Sequence, residues 1–114
     1  MRYALLLAND ESKVMTEEDQ RRCVSSFVSL IDEMVERGVA SDRGLRLQPI
    51  STATSVRKRD GEVIVVDGPF AETKEQVAGL FIIECSNLDE AIEFASRVPT
   101  AEFGTVEVRP VWEM

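Results

Sequence analysis

Two short segments, residues 2–8 and 77–85, are apolar along their length instead of alternating between apolar and polar positions. Successive side chains of a β-strand point to opposite faces of the sheet, so a strand of this composition is apolar on both faces. Both faces of the sheet that contains these two strands must therefore be covered. A length of 114 residues allows one domain with one core, which we expect to span residues 1–114.

Two other segments have the periodicity of amphipathic helices. The first helix is predicted over residues 17–37, with Thr16 as its N-cap and acidic residues in its first turn. The second is short, begins after Ser86 or Asn87 and ends at Pro99. Two such helices can cover one face of an antiparallel sheet, as in the ferredoxin-like arrangement, but they cannot cover the other face.

Three further strands complete the predicted α+β fold, over residues 51–58, 62–66 and 105–111. The Asp60-Gly61 pair between the first two is typical of a tight β-hairpin turn. Residues 39–49 are predicted to be irregular. The element order is then β-α-β(β)-β-α-β, which is that of a ferredoxin-like protomer with an added strand.

The sheet face without helices predicts self-association. An exposed apolar surface of this size is an association site in most proteins that have one. We therefore expect a homodimer in which two sheets pack face to face, with pockets between the sheet and its loops.

The composition restricts the chemistry, since the chain contains no histidine. Nucleophile systems that depend on a Ser-His or Cys-His pair are excluded, and so are imidazole metal sites. Acid–base chemistry would depend on Asp, Glu, Lys, Tyr or Cys. The two cysteines, Cys23 and Cys85, lack metal-ligand spacing and are expected to be buried or half-buried. We expect no metal and no cofactor.

The net charge of −8 argues against a nucleic-acid partner, which would require concentrated Lys and Arg. The basic residues 57–59 adjoin a turn, and a solvated hairpin tip explains them. The apolar runs are strand-sized, so no membrane association is expected. No cleavage-like site follows the short apolar run at the N-terminus, which predicts a cytoplasmic protein.

The loop over residues 67–75 contains the first candidate site residues. Its Asp-Gly-Pro start is turn chemistry, and loops of this kind often carry sites. Asp67 would either face a cleft as an acid–base or ligand-binding group, or accept backbone hydrogen bonds and hold the turn. Phe70 would fill the core or stack on a ligand. Lys74 would be solvated or bind an anion.

The last strand contains the second pair of candidates, Glu107 and Arg109. Two positions apart on a strand, they point to the same side, opposite Val106 and Val108. Facing outward, they would form a solvated pair. Facing the dimer side, they would form an ion pair between subunits, or Arg109 would bind a ligand carboxylate through two hydrogen bonds. Tyr3 would be a core residue or a proton donor in the cleft.

Four segments together resemble the DGPF-domain branch of the YCII-related family: Asp67-Gly-Pro-Phe-Ala-Glu-Thr-Lys-Glu75, Gly79-Leu-Phe-Ile-Ile-Glu84, Asp89-Glu-Ala91 and Val106-Glu-Val-Arg-Pro110. The similarity runs from Met1 to about Val111. It implies a dimeric α+β barrel of ferredoxin-like protomers, and an association of some members with sigma factors of the extracytoplasmic-function class. Some relatives are proposed to be enzymes through a His–Asp pair, which a chain without histidine cannot form.

Three functions remain open from the sequence. The first is a homodimeric binding or regulatory domain with a small organic ligand near Asp67 and Arg109. The second is a cofactor-free enzyme in which Asp67 or a glutamate transfers protons on an organic acid or aromatic substrate. The third is an interaction module for a sigma factor, which would need no cleft.

Overall fold

The structure, a computed structural model, describes residues 1–113. These residues form six strands and three α-helices: β1 Arg2–Asn9, α1 Glu17–Glu36, β2 Leu45–Arg46, β3 Thr54–Arg59, β4 Glu62–Asp67, β5 Gln76–Glu84, α2 Leu88–Arg97, α3 Thr100–Phe103 and β6 Thr105–Pro110.

The two segments that are apolar on both faces, β1 and β5, are neighbours at the centre of a four-stranded antiparallel sheet with the order β2-β5-β1-β6. Leu5 lies opposite Phe81, and Tyr3 lies opposite Ile83. The expected α+β class is confirmed, and this strand order is compatible with the ferredoxin-like arrangement.

One face of this sheet forms the core with the helices. Tyr3, Leu5, Phe81 and Ile83 are buried on that face, and every buried residue of α1 and α2 belongs to the same apolar cluster. The other face, which we call the open face, has Ala4, Leu6, Leu80 and Ile82 at its centre, all half-buried. The helices therefore cover the apolar residues of β1 and β5 on one face of the sheet. They do not cover the apolar residues of these strands on the open face.

Strands β3 and β4 pair with each other in a separate two-stranded sheet. Their turn has Asp60 at φ 50° and Gly61 at φ 79°, the left-handed conformations that a tight hairpin turn needs. Val56, Val63 and Val65 share one face of this hairpin and are each more than half exposed. The predicted hairpin is confirmed, and these three valines remain largely exposed within residues 1–113.

The differences from the predicted elements are local. Strand β3 begins at Thr54, because residues 50–52 form a 3₁₀ turn in which the Thr52 N–H and hydroxyl both donate to the Pro49 carbonyl. Strand β2 lies in the segment that was predicted to be irregular. Pro99 ends α2 as expected and also precedes α3, since proline is tolerated at the start of a helix. No helix among residues 1–113 has the length and apolar character needed to cross a membrane.

Candidate functional site

Asp67 is exposed at the end of β4. The turn that follows it is held by other groups: the Gly68 N–H donates to the Ala53 carbonyl at 2.7 Å, and the Ser55 hydroxyl donates to the Gly68 carbonyl at 2.7 Å. Within residues 1–113 the Asp67 carboxylate accepts no hydrogen bond. The turn is therefore held by hydrogen bonds from Gly68 to Ala53 and from Ser55 to Gly68, and not by the Asp67 side chain.

The rest of the loop lies on the surface. The Phe70 side chain is 81% exposed and does not fill the core, and Lys74 is exposed as well. The loop is fixed at its far end, where Gln76 Nε2 donates to the Ala71 and Thr73 carbonyls and the Thr105 hydroxyl donates to Glu75 Oε1 at 2.7 Å. Glu75, the last residue of the loop, therefore ties the loop to β6.

Glu107 and Arg109 lie on the open face, opposite Leu6 and Ala4 of β1. They form an ion pair with each other inside one protomer, and both remain about half exposed or more. The prediction that they point to one side of β6 is confirmed. Asp67, Phe70, Lys74, Glu107 and Arg109 do not line the cavity described next.

A cavity of about 670 Å³ lies between the N-terminal part of α1 and the edge of the sheet at β2 and β5. Its apolar lining comes from α1 and the residue before it, from the sheet and the residue after β2, and from the end of α3: Met15, Cys23, Val24, Phe27, Val28, Ile31, Leu7, Leu45, Leu47, Phe81 and Phe103. A volume in this range is typical of small-molecule sites.

The cavity exists because α1 packs more closely against the sheet at its C-terminal end. Leu30 and Met34 in the C-terminal half of α1 are buried. Cys23 and Phe27, on the same side of the helix in its N-terminal half, are only half-buried. At Gly79 of β5 a side chain is excluded, because an added Cβ would lie 2.7 Å from the Leu45 carbonyl oxygen. Strand β2 therefore approaches β5 closely at the floor of the cavity, and the looser packing of the N-terminal part of α1 leaves the space above it.

Polar groups line the cavity at several points. The Glu11 carboxylate accepts the Ile50 N–H at 3.1 and 3.2 Å, and Arg43 Nη1 donates to Asp32 at 2.8 Å. Arg46 lies opposite Gly79, on the face of the sheet that α1 covers. The charged lining residues are Glu11, Lys13, Arg43 and Arg46, an excess of two positive charges in a chain whose net charge is −8.

Cys23 is half-buried in the wall that α1 contributes, and Cys85 is buried elsewhere, as expected for both. Desolvation raises the pKa of the Cys23 thiol, the charge of Glu102 raises it further, and the charge of Arg46 lowers it. A thiol with a raised pKa stays protonated at neutral pH and is a weak nucleophile. The cavity therefore offers an apolar wall and cations, without an activated nucleophile.

Tyr3 contributes to the core and not to the cavity. Its ring is 3% exposed, and its hydroxyl donates to Met1 Sδ at 3.7 Å. Among residues 1–113, no group of three or more Cys, Asp or Glu side chains is placed to hold a metal ion.

The fold and the cavity define a small α+β domain. Helices cover one face of its sheet, the other face is open and apolar, and a cavity large enough for a small molecule lies between α1 and the sheet. The chain belongs to the YCII-related family, whose domain model matches residues 1–114, and the predicted resemblance to that family is confirmed. An uncharacterized protein of Rhizobium meliloti (strain 1021) is 41% identical over 115 residues, covering 97% of this chain and 92% of the relative.

Sequence reasoning missed the cavity residues. The amphipathic periodicity of residues 17–37 predicts an apolar stripe that includes Val24 and Val28, but it does not indicate that these residues border a cavity. Two signals pointed toward the cavity: a glycine inside an apolar strand, which often marks a close approach of another group, and the alternation of basic and apolar residues over Arg43, Leu45, Arg46 and Leu47.

Proposed function

We propose that this protein is a homodimeric binding domain that takes a small, largely apolar organic molecule into the cavity between α1 and the sheet. The observation that supports this function is the cavity itself, about 670 Å³ in volume and lined mainly by aliphatic and aromatic side chains. A concave, mostly apolar space with a few polar groups is the usual form of a small-molecule site.

The exposure of the helix stripe supports the same function. Val24 and Val28 line the cavity and are 56% and 44% exposed, so these apolar side chains of α1 stay in contact with water. Covering apolar surface gains roughly 25 cal/mol per Å², so an apolar ligand would be stabilised by covering these side chains. The ligand would complete the packing of α1 that the sheet leaves incomplete.

The homodimer is proposed from the open face. Leu6 and Ile82 are half-buried at its centre, and Glu107 and Arg109 pair with each other at the β6 edge. A second copy packing on this face would give the dimeric barrel of ferredoxin-like protomers that the family resemblance implies. The cavity lies on the other side of the sheet, so the dimer would leave it accessible.

The predicted site near the loop stays a second proposal. Asp67, Phe70 and Lys74 are exposed in one protomer, and so are Glu107 and Arg109. A second copy would have to complete such a site.

An exposed carboxylate lacks the enclosed setting that acid–base catalysis on an organic substrate uses, so we favour binding over the cofactor-free enzyme. The sigma-factor association, the DGPF branch and the cytoplasmic location stay predictions.

Binding is tested with phenylnaphthylamine, a neutral aromatic dye whose fluorescence rises when it enters an apolar site. We expect saturable binding with one dye per protomer. Val24→Trp, which places an indole in the cavity, should abolish it. Val35→Trp is the matched control, because Val35 is a partly exposed valine of α1 outside the cavity lining. Absence of saturable binding, or equal binding by both variants, would contradict the function.

The dimer is tested by sedimentation equilibrium at micromolar concentration. We expect the unmodified protein to be a dimer and Leu6→Glu to be a monomer, since the substitution places two like charges in the interface. Arg109→Glu is a second interface variant, at a side chain that is solvated in one protomer. Ile92→Glu, an exposed position on α2, should remain dimeric. A monomeric unmodified protein would exclude the barrel.

A further inference from the structure

We infer that the ligand of this cavity is an organic anion, an aromatic or aliphatic body with a carboxylate or sulfonate group, and that Arg46 binds the anionic group. This inference rests on the proposed function, because it assigns a chemical class to the ligand of the same cavity.

The first step is the local reversal of charge. The chain as a whole carries −8, yet three cations and one carboxylate line the cavity. A concave site whose wall has one sign of charge concentrates ligands of the opposite sign. An acidic protein with a cationic cavity therefore selects anions at this place, although its surface as a whole repels them.

The second step is the pairing of those charges. The Glu11 carboxylate is held by the Ile50 N–H, and Arg43 is held by Asp32. Within residues 1–113, Arg46 and Lys13 take part in no ion pair. The two cations that a ligand can still neutralise are therefore Arg46 and Lys13.

The third step is the position of Arg46. Its strand partner is Gly79, whose neighbours at alternate positions, such as Phe81, face the core. Arg46 is therefore directed to the helix side of the sheet, where its charge is felt at the Cys23 thiol on α1. It lies beside the apolar wall, so one ligand can contact both. A guanidinium group binds a carboxylate or sulfonate through two parallel hydrogen bonds, which favours Arg46 over Lys13 as the main contact.

Acidic groups nearby offset this charge only in part. Glu11 keeps its negative charge while it accepts a backbone N–H, but the two cations without an ion-pair partner outnumber this one carboxylate in the lining. Glu102, whose charge is felt at Cys23, is not part of the cavity lining. Gln20 and Thr100 add neutral hydrogen-bonding groups to the wall. The polar part of the site is therefore suited to an anion with further hydrogen-bond acceptors.

The test compares two dyes with the same aromatic framework. Anilinonaphthalene sulfonate differs from phenylnaphthylamine by its sulfonate group, so the ratio of their dissociation constants isolates the contribution of the anion. We expect the sulfonate dye to bind about tenfold more tightly, which corresponds to one charge-assisted contact. Both dyes must lose binding in Val24→Trp, which shows that each occupies the cavity.

The variant Arg46→Gln should reduce the preference for the sulfonate dye to about one while leaving phenylnaphthylamine binding unchanged. Arg21→Gln makes the same change of charge on the exposed surface of α1, outside the cavity lining, and should retain the preference. Retention of the preference in Arg46→Gln would overturn the role of Arg46. Tight binding of phenylnaphthylamine without a preference for the sulfonate dye would overturn the assignment of an anionic ligand and would leave the proposed function intact. Failure of both dyes to bind would overturn both.

Discussion

Arg97 of α2 donates two hydrogen bonds to the carboxylate of Glu33 on α1, from Nη1 to Oε2 at 2.8 Å and from Nη2 to Oε1 at 2.6 Å. Arg37 donates a third, to Oε2 at 2.9 Å, and both guanidinium groups lie near the face of the Phe94 ring. This cluster holds the C-terminal half of α1 against α2. Among residues 1–113, no such cluster holds the N-terminal half, which is the half that lies over the cavity.

The cluster predicts a specific dependence of stability on pH. Hydrogen bonds from Arg97 and then Arg37 lower the pKa of Glu33 from 4.5 to about 2. Because the pKa is depressed in the folded state, the stabilisation is complete above pH 4.5 and is lost as the pH falls toward 2. We expect Glu33→Gln to unfold at lower urea concentration at pH 7 and to lose less stability than the unmodified protein between pH 4.5 and 2.

Urea unfolding followed by circular dichroism at several pH values measures this effect. Glu36→Gln, an exposed position three residues further along α1, is the matched control and should follow the unmodified protein. Asp10, Asp19 and Glu113 also have lowered pKa values, so the pH dependence of Glu33→Gln should be weaker but not absent. Identical pH profiles for both variants would mean that the cluster does not stabilise the helix pair.

The helix boundaries were predictable because the groups that set them are local. The Thr16 hydroxyl accepts the Asp19 N–H at 3.1 Å at the start of α1, and Gly38 adopts φ 74° just after its end. Both features follow from residues a few positions away. The same holds for the hairpin turn at Asp60 and Gly61.

The cavity and β2 were not predictable because they depend on contacts between distant segments. Val24 and Met34 occupy the same apolar stripe, and spacing alone does not say which end of a helix approaches the sheet. Strand β2 is two residues long, too short for a pattern, and exists through its pairing with Gly79 and Leu80. The side of β6 on which Glu107 and Arg109 lie was predictable, since strand alternation fixes it.

The core position of Leu5 predicts a large effect of truncation. Leu5 is 0% exposed, between the helices and the centre of the sheet, so Leu5→Ala should lower the free energy of unfolding by about 2–5 kcal/mol. Leu88→Ala makes the same chemical change at a side chain that is 48% exposed and should cost less than about 1 kcal/mol. Equal costs in urea unfolding would mean that Leu5 is not packed as described.

Gly104 is required by a close approach between strands. A Cβ at this position would lie 2.2 Å from the Ala8 carbonyl oxygen, so Gly104→Ala must displace β6 from β1. Gly38→Ala is the contrasting variant, because a Cβ added at Gly38 would meet no other group of residues 1–113 within 4 Å. This substitution should therefore reduce stability only through the backbone strain of an alanine at φ 74°. We expect about 1 kcal/mol for Gly38→Ala and a larger loss for Gly104→Ala in urea unfolding. The reverse order would show that β6 tolerates the shift.

Cys23 provides a chemical readout of the cavity that does not depend on dye fluorescence. Because desolvation raises the pKa of its thiol, alkylation by iodoacetamide should be slow at pH 7, increase steadily with pH, and level off only above pH 9, the ordinary thiol pKa. A ligand in the cavity should slow the reaction of Cys23 further, in proportion to the occupied fraction. Cys85, buried and outside the cavity lining, is the internal control, and its labelling should not respond to the ligand. Mass spectrometry of the labelled peptides distinguishes the two sites. If a bound dye left the rate at Cys23 unchanged, the dye would occupy another surface and the cavity would lose its assigned role.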